Sequence, residues 1–567
     1  MKPPATTLPV RPVHDMETDV LVIGAGTAMA AAMAAHELGL STVIVEKTAY
    51  VGGSTARSGG AFWIPGNSAL ETGGADDSIE RAAQYLEAVV GDTSPAPRWR
   101  NYLTHGPATV DMLSRMTPMR FGWNRGYADY HPELPGGSAV GRTCDCRPFD
   151  LSVLGAERAR LRRSRMRKLP MPVTGGDYKW MNLMARTPHK AFPRILVRAA
   201  QGLVGLAMGK EYVGGGQAMA AGLFAGVLRA GIPIHTRTAV RELVLDGDRV
   251  VGAVVVQDDR EVTITARKAV VVGAGGFDHD LERRRALQSS TLQPRWSLGN
   301  SGNTGDLLDI AGKVGADTVL MDQAWWFPAI APIAPGGMPM PLLAERSLPG
   351  SFIVDDAGER FVNESIDYMS FGQRVIERER AGKPVGQMWM VFDQAYRNSY
   401  VFATLLNPRQ AIPQEWLDAG IVRKASDPAA LARATGLPET AFTATFERFN
   451  RLAAAGIDDD FHRGASAYDR YYGDPTVDPN PNLRPLRRGP FYAAKVVLSD
   501  LGTCGGIRAD EFARALRSDG SPIGGLYAVG NAAGNAFGNT YPGAGATIGQ
   551  GLVFSRIAVL HAAGRLR

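Results

Sequence analysis

Asp19-Val20-Leu21-Val22-Ile23-Gly24-Ala25-Gly26-Thr27-Ala28-Met29-Ala30 decides the fold of this chain. Residues 19–23 read as a buried parallel strand, because the apolar residues run on without the alternation of a half-exposed one. An Ala-rich helix follows to about residue 38, and Thr42-Val43-Ile44-Val45-Glu46 is the second strand. This βαβ layout binds the ADP part of a dinucleotide. Gly24 makes the turn, Gly26 lets backbone approach the pyrophosphate, and the helix N-terminus faces it; Ala25, Thr27 and Ala28 lie on the same approach. Glu46 closes the second strand 22 residues after Gly24, where a carboxylate accepts from ribose hydroxyls. Met29 stands where a third glycine is expected, so helix–strand packing there should be looser or offset toward Ala30.

A second small-residue loop favours FAD over a nicotinamide cofactor. Glu46-Lys47 leads into Gly52-Gly53-Ser54-Thr55-Ala56-Arg57-Ser58-Gly59-Gly60. Backbone at Gly53, Gly59 and Gly60 can lie along a longer cofactor, and Ser54, Thr55 and Ser58 offer hydroxyls to phosphate and ribityl oxygens. Residues 250–256, after Asp246-Gly247-Asp248, read as one arm of a hairpin. Residues 269–276 return as a core strand with a glycine end, and 525–531 form a late strand ending in Gly530-Asn531. The expected fold is α/β, with a Rossmann-like FAD-binding domain built from both chain ends.

The third informative stretch is Gly538-Asn539-Thr540-Tyr541-Pro542-Gly543-Ala544-Gly545-Ala546-Thr547-Ile548-Gly549. It sets a tyrosine on a glycine-rich turn ahead of a helix expected from residue 550 to about 563. A phenol and free backbone N–H groups can hold a carbonyl oxygen, and the positive end of the helix dipole favours negative charge collecting there. Together with the first turn, this predicts a flavin with a ketone bound beside it.

At 567 residues the chain has room for several buried cores. A net charge of +6 over that length creates no field that would hold nucleic acid. Three cysteines make no disulfide framework, and Cys144 and Cys146 are too close for a usual bridge, so a reducing compartment is expected. The first 18 residues hold four prolines and no apolar core of a secretion signal. No apolar run reaches the ~18–20 residues of a membrane-crossing helix. The expected location is cytoplasmic. None of the nine histidines is placed as an obvious base or ligand. Asp278-His279 and His131 read as surface or helix-start residues, and no metal cluster is expected.

Residues 329–502 lack the βαβ glycine pattern and carry Pro-rich turns and short amphipathic helices, such as 370–380 and 438–455. They read as an inserted α+β catalytic domain between an N-terminal FAD-binding part, 1–328, and a C-terminal part, 503–567. Residues 151–212 are a further insertion within the first part. It holds seven basic side chains, Arg158, Arg160, Arg162, Arg163, Arg165, Arg167 and Lys168, followed by Met171, Trp180, Met181, Leu183, Met184, Phe192 and the apolar run 195–208. Basic residues beside Trp, Met and Leu adsorb to anionic lipid. A peripheral contact at the inner face of the plasma membrane therefore stands beside two plainer readings, a solvated loop and a subunit contact.

These elements together resemble the FAD-dependent 3-ketosteroid Δ1-dehydrogenases, relatives of the flavoprotein subunits of fumarate reductases. The resemblance covers nearly the whole chain apart from 151–212. It rests on Gly24-Ala25-Gly26, Glu46-Lys47, the run 52–56, Asp129-Tyr130, Asp322-Gln323-Ala324-Trp325, the runs 360–368, 489–494 and 498–503, and Tyr541-Pro542-Gly543-Ala544-Gly545. It implies that Tyr130, Tyr368, Tyr541 and Gly545 hold the catalytic positions. It also adds Val240, Ala274, Gly275, Asp306, Ala546, Thr547 and Ile548 to the contacts of a non-covalent FAD. The implied reaction turns a 3-ketosteroid into its 1-ene. Tyr541 and the Gly545 N–H would hold the C3 oxygen, and Tyr368 would take a proton from C2. A hydrogen bond from Tyr130 would stabilise the Tyr368 phenolate, and hydride would leave C1 for flavin N5.

Two other readings stay open. One is a related flavoenzyme, such as a Δ4-(5α)-3-ketosteroid dehydrogenase or a fumarate-reductase-like enzyme; the latter needs Arg and His to clamp carboxylates, and no such cluster accompanies Tyr541. The other is a membrane-associated flavin-binding electron carrier without a substrate of its own.

Overall fold

The computed structural model describes residues 11–163 and 170–566. Two sheets organise it. The first has eight strands in the order Arg514–Leu516, Pro522–Ala528, Arg249–Gln257, Arg260–Val272, Met16–Ile23, Thr42–Glu46, Ile234–Thr236, with Thr238–Asp246 paired to Arg249–Gln257 as the predicted hairpin. Its centre is parallel: Val22 pairs with Ile44 on one side and Val271 on the other, and Val271 pairs in turn with Tyr527. Val20 and Val22 face the layer made by helix Met29–Glu37 and helix Ala546–Ala562, while Leu21 and Ile23 face the apolar layer that includes Val43, Val255 and Leu307. Both chain ends therefore build one sheet and one helix layer, which is why the apolar runs lack alternation.

The close helix–strand approach is offset in the direction opposite to that expected. A Cβ on Gly273, just past strand Arg260–Val272, would lie 2.4 Å from Ala28 Cβ. Ala28, not Ala30, makes the tight contact, and Met29 is buried with no exposed area.

The second sheet is antiparallel. Its strands run in the order Met340–Pro341, Ala324–Ile330, Phe491–Thr503, Met388–Asp393, Ser351–Val354, with Val422–Ala425 also paired to Phe491–Thr503. The expected boundary at 328/329 falls inside strand Ala324–Ile330. Helix Tyr368–Arg380 packs across that strand and so carries its first residue to the border between the two sheets.

In the 151–212 segment, Arg165, Arg167 and Lys168 lie outside the described residues. Arg160 and Arg162 overturn the idea of a wholly solvated basic run. Arg160 is buried, with Nη1 on Glu157 (2.7 Å) and Nη2 on the Ile234 carbonyl (2.7 Å), and Arg162 donates to Thr48 Oγ1 (2.7 Å). Guanidiniums that satisfy buried acceptors are not available to a lipid surface. The exposed apolar area lies instead on helix Pro188–Ala207, which buries only Ala191, Gly202 and Gly205. Leu196 is 66% exposed, and Phe192, Val197, Leu203, Val204 and Leu206 also stand in solvent. Among the described residues no helix is long and apolar enough to cross a membrane.

Candidate active site

The loop after strand Met16–Ile23 is built for an anion. Gly24 has φ 103°, and a Cβ there would meet the Gly273 carbonyl oxygen at 2.4 Å, so only glycine can turn the chain at this point. Among the described residues the N–H groups of Gly26, Thr27 and Ala28 donate to no protein acceptor. The helix that begins at Met29 points its positive end the same way.

Other predicted segments come to the same place. A Cβ on Gly53 would lie 3.8 Å from Gly26 Cα, one on Gly26 3.6 Å from Thr55 Oγ1, and one on Gly530 3.3 Å from Thr27 Oγ1. Ser54 Oγ accepts from Asn300 N (2.9 Å) and Asn303 Nδ2 (3.1 Å), and Asn303 packs on Gly275 beside Ala274. Lys47 Nζ bonds Asp306 (3.0 Å) and Thr304 Oγ1 (2.8 Å). Asn531 Oδ1 accepts from Trp325 Nε1 (3.3 Å). Glu46 is already engaged: Oε2 accepts from Ala25 N (3.0 Å), and Oε1 from the Thr48 N–H (2.9 Å) and hydroxyl (2.7 Å). A carboxylate has about four acceptor sites, which leaves room for a ribose hydroxyl. Ser58 and Gly60 turn against the start of helix Gly215–Arg229, where Gly216 N donates to the Ser58 carbonyl (3.0 Å). Val240 lies in strand Thr238–Asp246, within the apolar cluster of Val43 and Val45 against which Ala274 packs. Free N–H groups, close-packed small residues, one acid and several hydroxyls fit the phosphate, ribose and ribityl groups of FAD.

The three predicted tyrosines meet at the border of the two sheets. Ring centroids lie 5.2 Å apart for Tyr130 and Tyr541, 5.5 Å for Tyr130 and Tyr368, and 5.5 Å for Tyr368 and Tyr541. Trp325 packs on Tyr541 (4.8 Å) and Phe327 on Tyr368 (4.9 Å). Each tyrosine is held from behind. Tyr368 is the first residue of its helix, whose N-terminus Asp367 caps by accepting from Ser370 N (3.0 Å). Upstream, Arg360 grips Glu364 and Asp458 (2.8 Å each) in a buried network that Arg463 joins. Tyr130 N donates to the Pro542 carbonyl (3.1 Å), and Asp129 accepts from Trp63 Nε1 (2.8 Å) and Arg142. The Tyr541 turn is pinned by the Tyr85 hydroxyl on Pro542 O (2.7 Å) and Thr143 on Ala544 O (3.1 Å).

The helix behind that turn starts four residues earlier than expected, at Ala546 rather than Gln550. Ala546, Thr547 and Ile548 therefore form its first turn, and its positive end sits next to Tyr541. Gly545 is the N-cap, at φ 92°, where a Cβ would come within 2.3 Å of the Ala61 carbonyl oxygen. Its N–H donates to no protein acceptor among the described residues.

Burial pushes the Tyr368 phenol well above its ordinary range, and the neighbouring Tyr541 and Tyr127 act in the same sense. The Tyr130 hydroxyl is near enough to ease ionisation of Tyr368, but burial outweighs it. The hydrogen bond expected from Tyr130 to Tyr368 is not made here: the Tyr130 oxygen is buried without a hydrogen-bond partner. Burial likewise pushes Tyr130 itself far up.

The sequence reading missed the outer ring of the site. Tyr127 stacks on Tyr471 at 4.4 Å and 7°, and Tyr468 packs on Tyr130 at 4.7 Å. Three tyrosines within five residues, Tyr468, Tyr471 and Tyr472, were the available signal. Asp278, which reads from the sequence as a surface or helix-start residue, lies two residues before Asp280, the N-cap of helix Leu281–Leu287, but not at the surface. It is buried, and Ser297 Oγ bridges it (3.2 Å) to Asp500 (2.6 Å), which also accepts from Arg284 (2.7 Å). Burial and then the Asp500 carboxylate push Asp278 up to about 7.

Known proteins share this architecture. The family model described as "FAD binding domain" matches residues 19–548. The 3-oxosteroid 1-dehydrogenase of Mycolicibacterium smegmatis is 44% identical over 96% of this chain and 97% of its own length. The 4-oxocyclohexanecarboxylate 2-dehydrogenase of Sinomonas cyclohexanicum is 35% identical over 95% of this chain and 92% of its own. Among solved structures, the 3-ketosteroid Δ1-dehydrogenase of Sterolibacterium denitrificans, in complex with 1,4-androstadiene-3,17-dione, has a TM-score of 0.91 at 33% identity, over 97% of this chain and all of that one. The dinucleotide cradle, the shared sheet and these full-length likenesses lead to one conclusion: the chain is an FAD-binding oxidoreductase that belongs to the 3-oxosteroid 1-dehydrogenase family.

Proposed function

We propose that this enzyme removes one hydrogen each from C1 and C2 of a 3-ketosteroid. The observation that carries the reading is the meeting of three buried tyrosines with a free Gly545 N–H at a helix start. A C–H bond beside a ketone becomes acidic only if the enolate oxygen is stabilised. In this reading the Tyr541 hydroxyl and the Gly545 N–H hydrogen-bond the C3 oxygen, with the helix dipole behind them. Tyr368 takes the proton from C2. The Tyr130 hydroxyl, which has no other partner, turns to Tyr368 as charge develops there. Trp325, Phe327, Tyr127 and Tyr468 supply flat apolar walls suited to fused rings and keep the site dry, which strengthens each hydrogen bond.

When bound, FAD supplies the hydride acceptor for C1. We assign its pyrophosphate to the Gly24–Ala28 turn and its ribose to Glu46, with Lys47 and Asp306 alongside. Its remaining length is assigned to Gly53, Ser54, Thr55, Ser58, Gly59, Gly60, Ala274, Gly275, Gly530, Asn531 and the first turn 546–548, with Val240 from its own strand.

The test is anaerobic mixing of the holoenzyme with a panel of 3-ketosteroids, a 5α-reduced 3-ketosteroid and fumarate, followed by product identification. A 1-ene product with loss of flavin colour is expected. A 4-ene from the 5α-steroid would favour the Δ4 reading, and no colour change with any steroid would leave an electron carrier.

We also assign the peripheral membrane contact to helix Pro188–Ala207. Its exposed Phe192, Leu196, Val197, Leu203 and Val204 accompany Lys190 and Arg194, whose cations lie 4.4 and 5.6 Å from the Trp180 ring centroid. Apolar side chains flanked by cations and an indole suit an anionic lipid surface, in which steroid substrates dissolve.

A further inference from the structure

Tyr130 and Tyr368 each have a chain neighbour with acid–base chemistry, and those neighbours also meet. His131 Nε2 lies 3.8 Å from Asp367 Oδ2. The Asp367 side chain is 1% exposed and that of His131 is 23% exposed, so the pair runs from the buried interior to solvent. Asp367 uses Oδ1 to cap the helix, and Oδ2 has no hydrogen-bond partner. It is not the only orphan in this corner: the hydroxyls of Tyr130 and Tyr468 are also buried without partners. Three such oxygens in one cluster are unusual, because buried polar groups are satisfied by protein or by ordered water. The Asp367 carboxylate is close enough to Tyr468 and Tyr85 to make ionisation of both phenols harder, after the larger effect of burial. The Tyr85 hydroxyl in turn accepts from the His131 backbone N–H (3.2 Å).

The reaction needs what this corner offers. Breaking C2–H leaves its electron pair on the substrate as an enolate and sends the proton to Tyr368; the C1–H pair leaves as hydride for the bound oxidant. One proton per turnover therefore accumulates on the phenol of a residue only 6% exposed, which a bound substrate would cover. We propose that Asp367 and His131 are the proton exit of the site, with the Tyr130 and Tyr468 hydroxyls linking Tyr368 to Asp367 and the imidazole passing the proton to water. This rests on the reading of Tyr368 as the base. At 3.8 Å the Asp367–His131 contact is too long for a direct hydrogen bond, but one water or a small ring rotation closes it. Both residues act through Tyr368 and are positioning residues in this scheme.

The experiment is an anaerobic single turnover of the holoenzyme, followed at once by flavin colour and by a pH-indicator dye in weak buffer. The variants are His131→Gln, Asp367→Asn and His131→Gly. Asn keeps an oxygen that can cap the helix and Gln keeps a donor for Asp367, yet neither carries a proton through. In both, proton appearance in solution should slow about a hundredfold, at the low end of the ~10²–10⁴-fold that positioned proton transfer contributes. Flavin content and substrate affinity should stay at wild-type values. Added imidazole should restore proton release to His131→Gly, which a merely structural loss would not permit. Wild-type release rates in His131→Gln, or a slow His131→Gly that imidazole leaves unchanged, would overturn the proposal. The underlying reading fails separately: if Tyr368→Phe still turns over while His131→Gln releases its proton slowly, another base feeds the same exit.

Discussion

Asn363 Nδ2 donates to Asp469 Oδ2 at 2.9 Å, so the loop that delivers Tyr368 is fastened to helix Ala467–Tyr471, which carries Tyr468. The same carboxylate oxygen accepts from Gly464 N (2.9 Å), and burial raises the Asp469 carboxyl above its usual range. Asn363→Ala removes a partner from a buried acid and should cost about 1–3 kcal/mol of stability. It should also lower kcat, because the two tyrosine-bearing elements lose their shared anchor. Urea unfolding and steady-state kinetics on the same preparation measure both, and an unchanged midpoint would show the bond to be incidental.

Replacing Tyr368 with Phe should nearly abolish turnover while leaving flavin content intact. Tyr541→Phe should cost about 10²–10³ in rate, the usual loss for one oxyanion donor. Rapid-mixing kinetics should place the Tyr541→Phe deficit in the chemical step. A deficit confined to KM would mean that this hydroxyl binds substrate without stabilising the enolate.

Gly545→Ala should be severe for two independent reasons. The backbone sits at φ 92°, and the new methyl would lie 2.3 Å from the Ala61 carbonyl oxygen. The variant should bind FAD weakly and melt lower than wild type. Gly312→Ala, with nothing within 4 Å of the added Cβ, is the matched control and should behave as wild type in both measurements.

The Asp278–Asp500 pair predicts a pH dependence of known sign. Asp278 is pushed up from 3.8 to about 7 in the folded protein, so the folded state binds its proton more tightly than the unfolded chain does. Stability from this group is full below about pH 4 and is lost as pH rises through about 7. Asp278→Asn removes the titrating group and should flatten that loss, gaining most relative to wild type above pH 7. The comparison is the difference in urea midpoint between variant and wild type at pH 5 and pH 8. A difference that does not grow with pH would show that the pair does not hold its proton there.

Vesicle co-sedimentation tests the exposed helix. Leu196→Ser with Val197→Ser, both outside the core, should weaken binding to anionic vesicles, as should high salt, while activity on detergent-dispersed steroid is kept. Equal sedimentation of variant and wild type would return Pro188–Ala207 to a subunit contact or a solvent-exposed loop helix.

The sequence by itself determined the central parallel strands and the cofactor class, and it singled out Tyr541 on its glycine turn, whereas Tyr130 and Tyr368 were picked out by the family resemblance. Those signals are local: an apolar run, two glycines, an acid at the right distance, and a tyrosine on a glycine turn all lie within short windows, where backbone sterics act directly. Tertiary structure decided what depends on distant partners. The close contact of Ala28 with Gly273, the helix start at Ala546 and the burial of Arg160 and Arg162 each follow from packing against residues far away in sequence. The same holds for Asp278 beside Asp500 and for His131 beside Asp367: no window of the chain contains both members of either pair, and only the closed fold brings one carboxylate to the other, or a carboxylate to an imidazole.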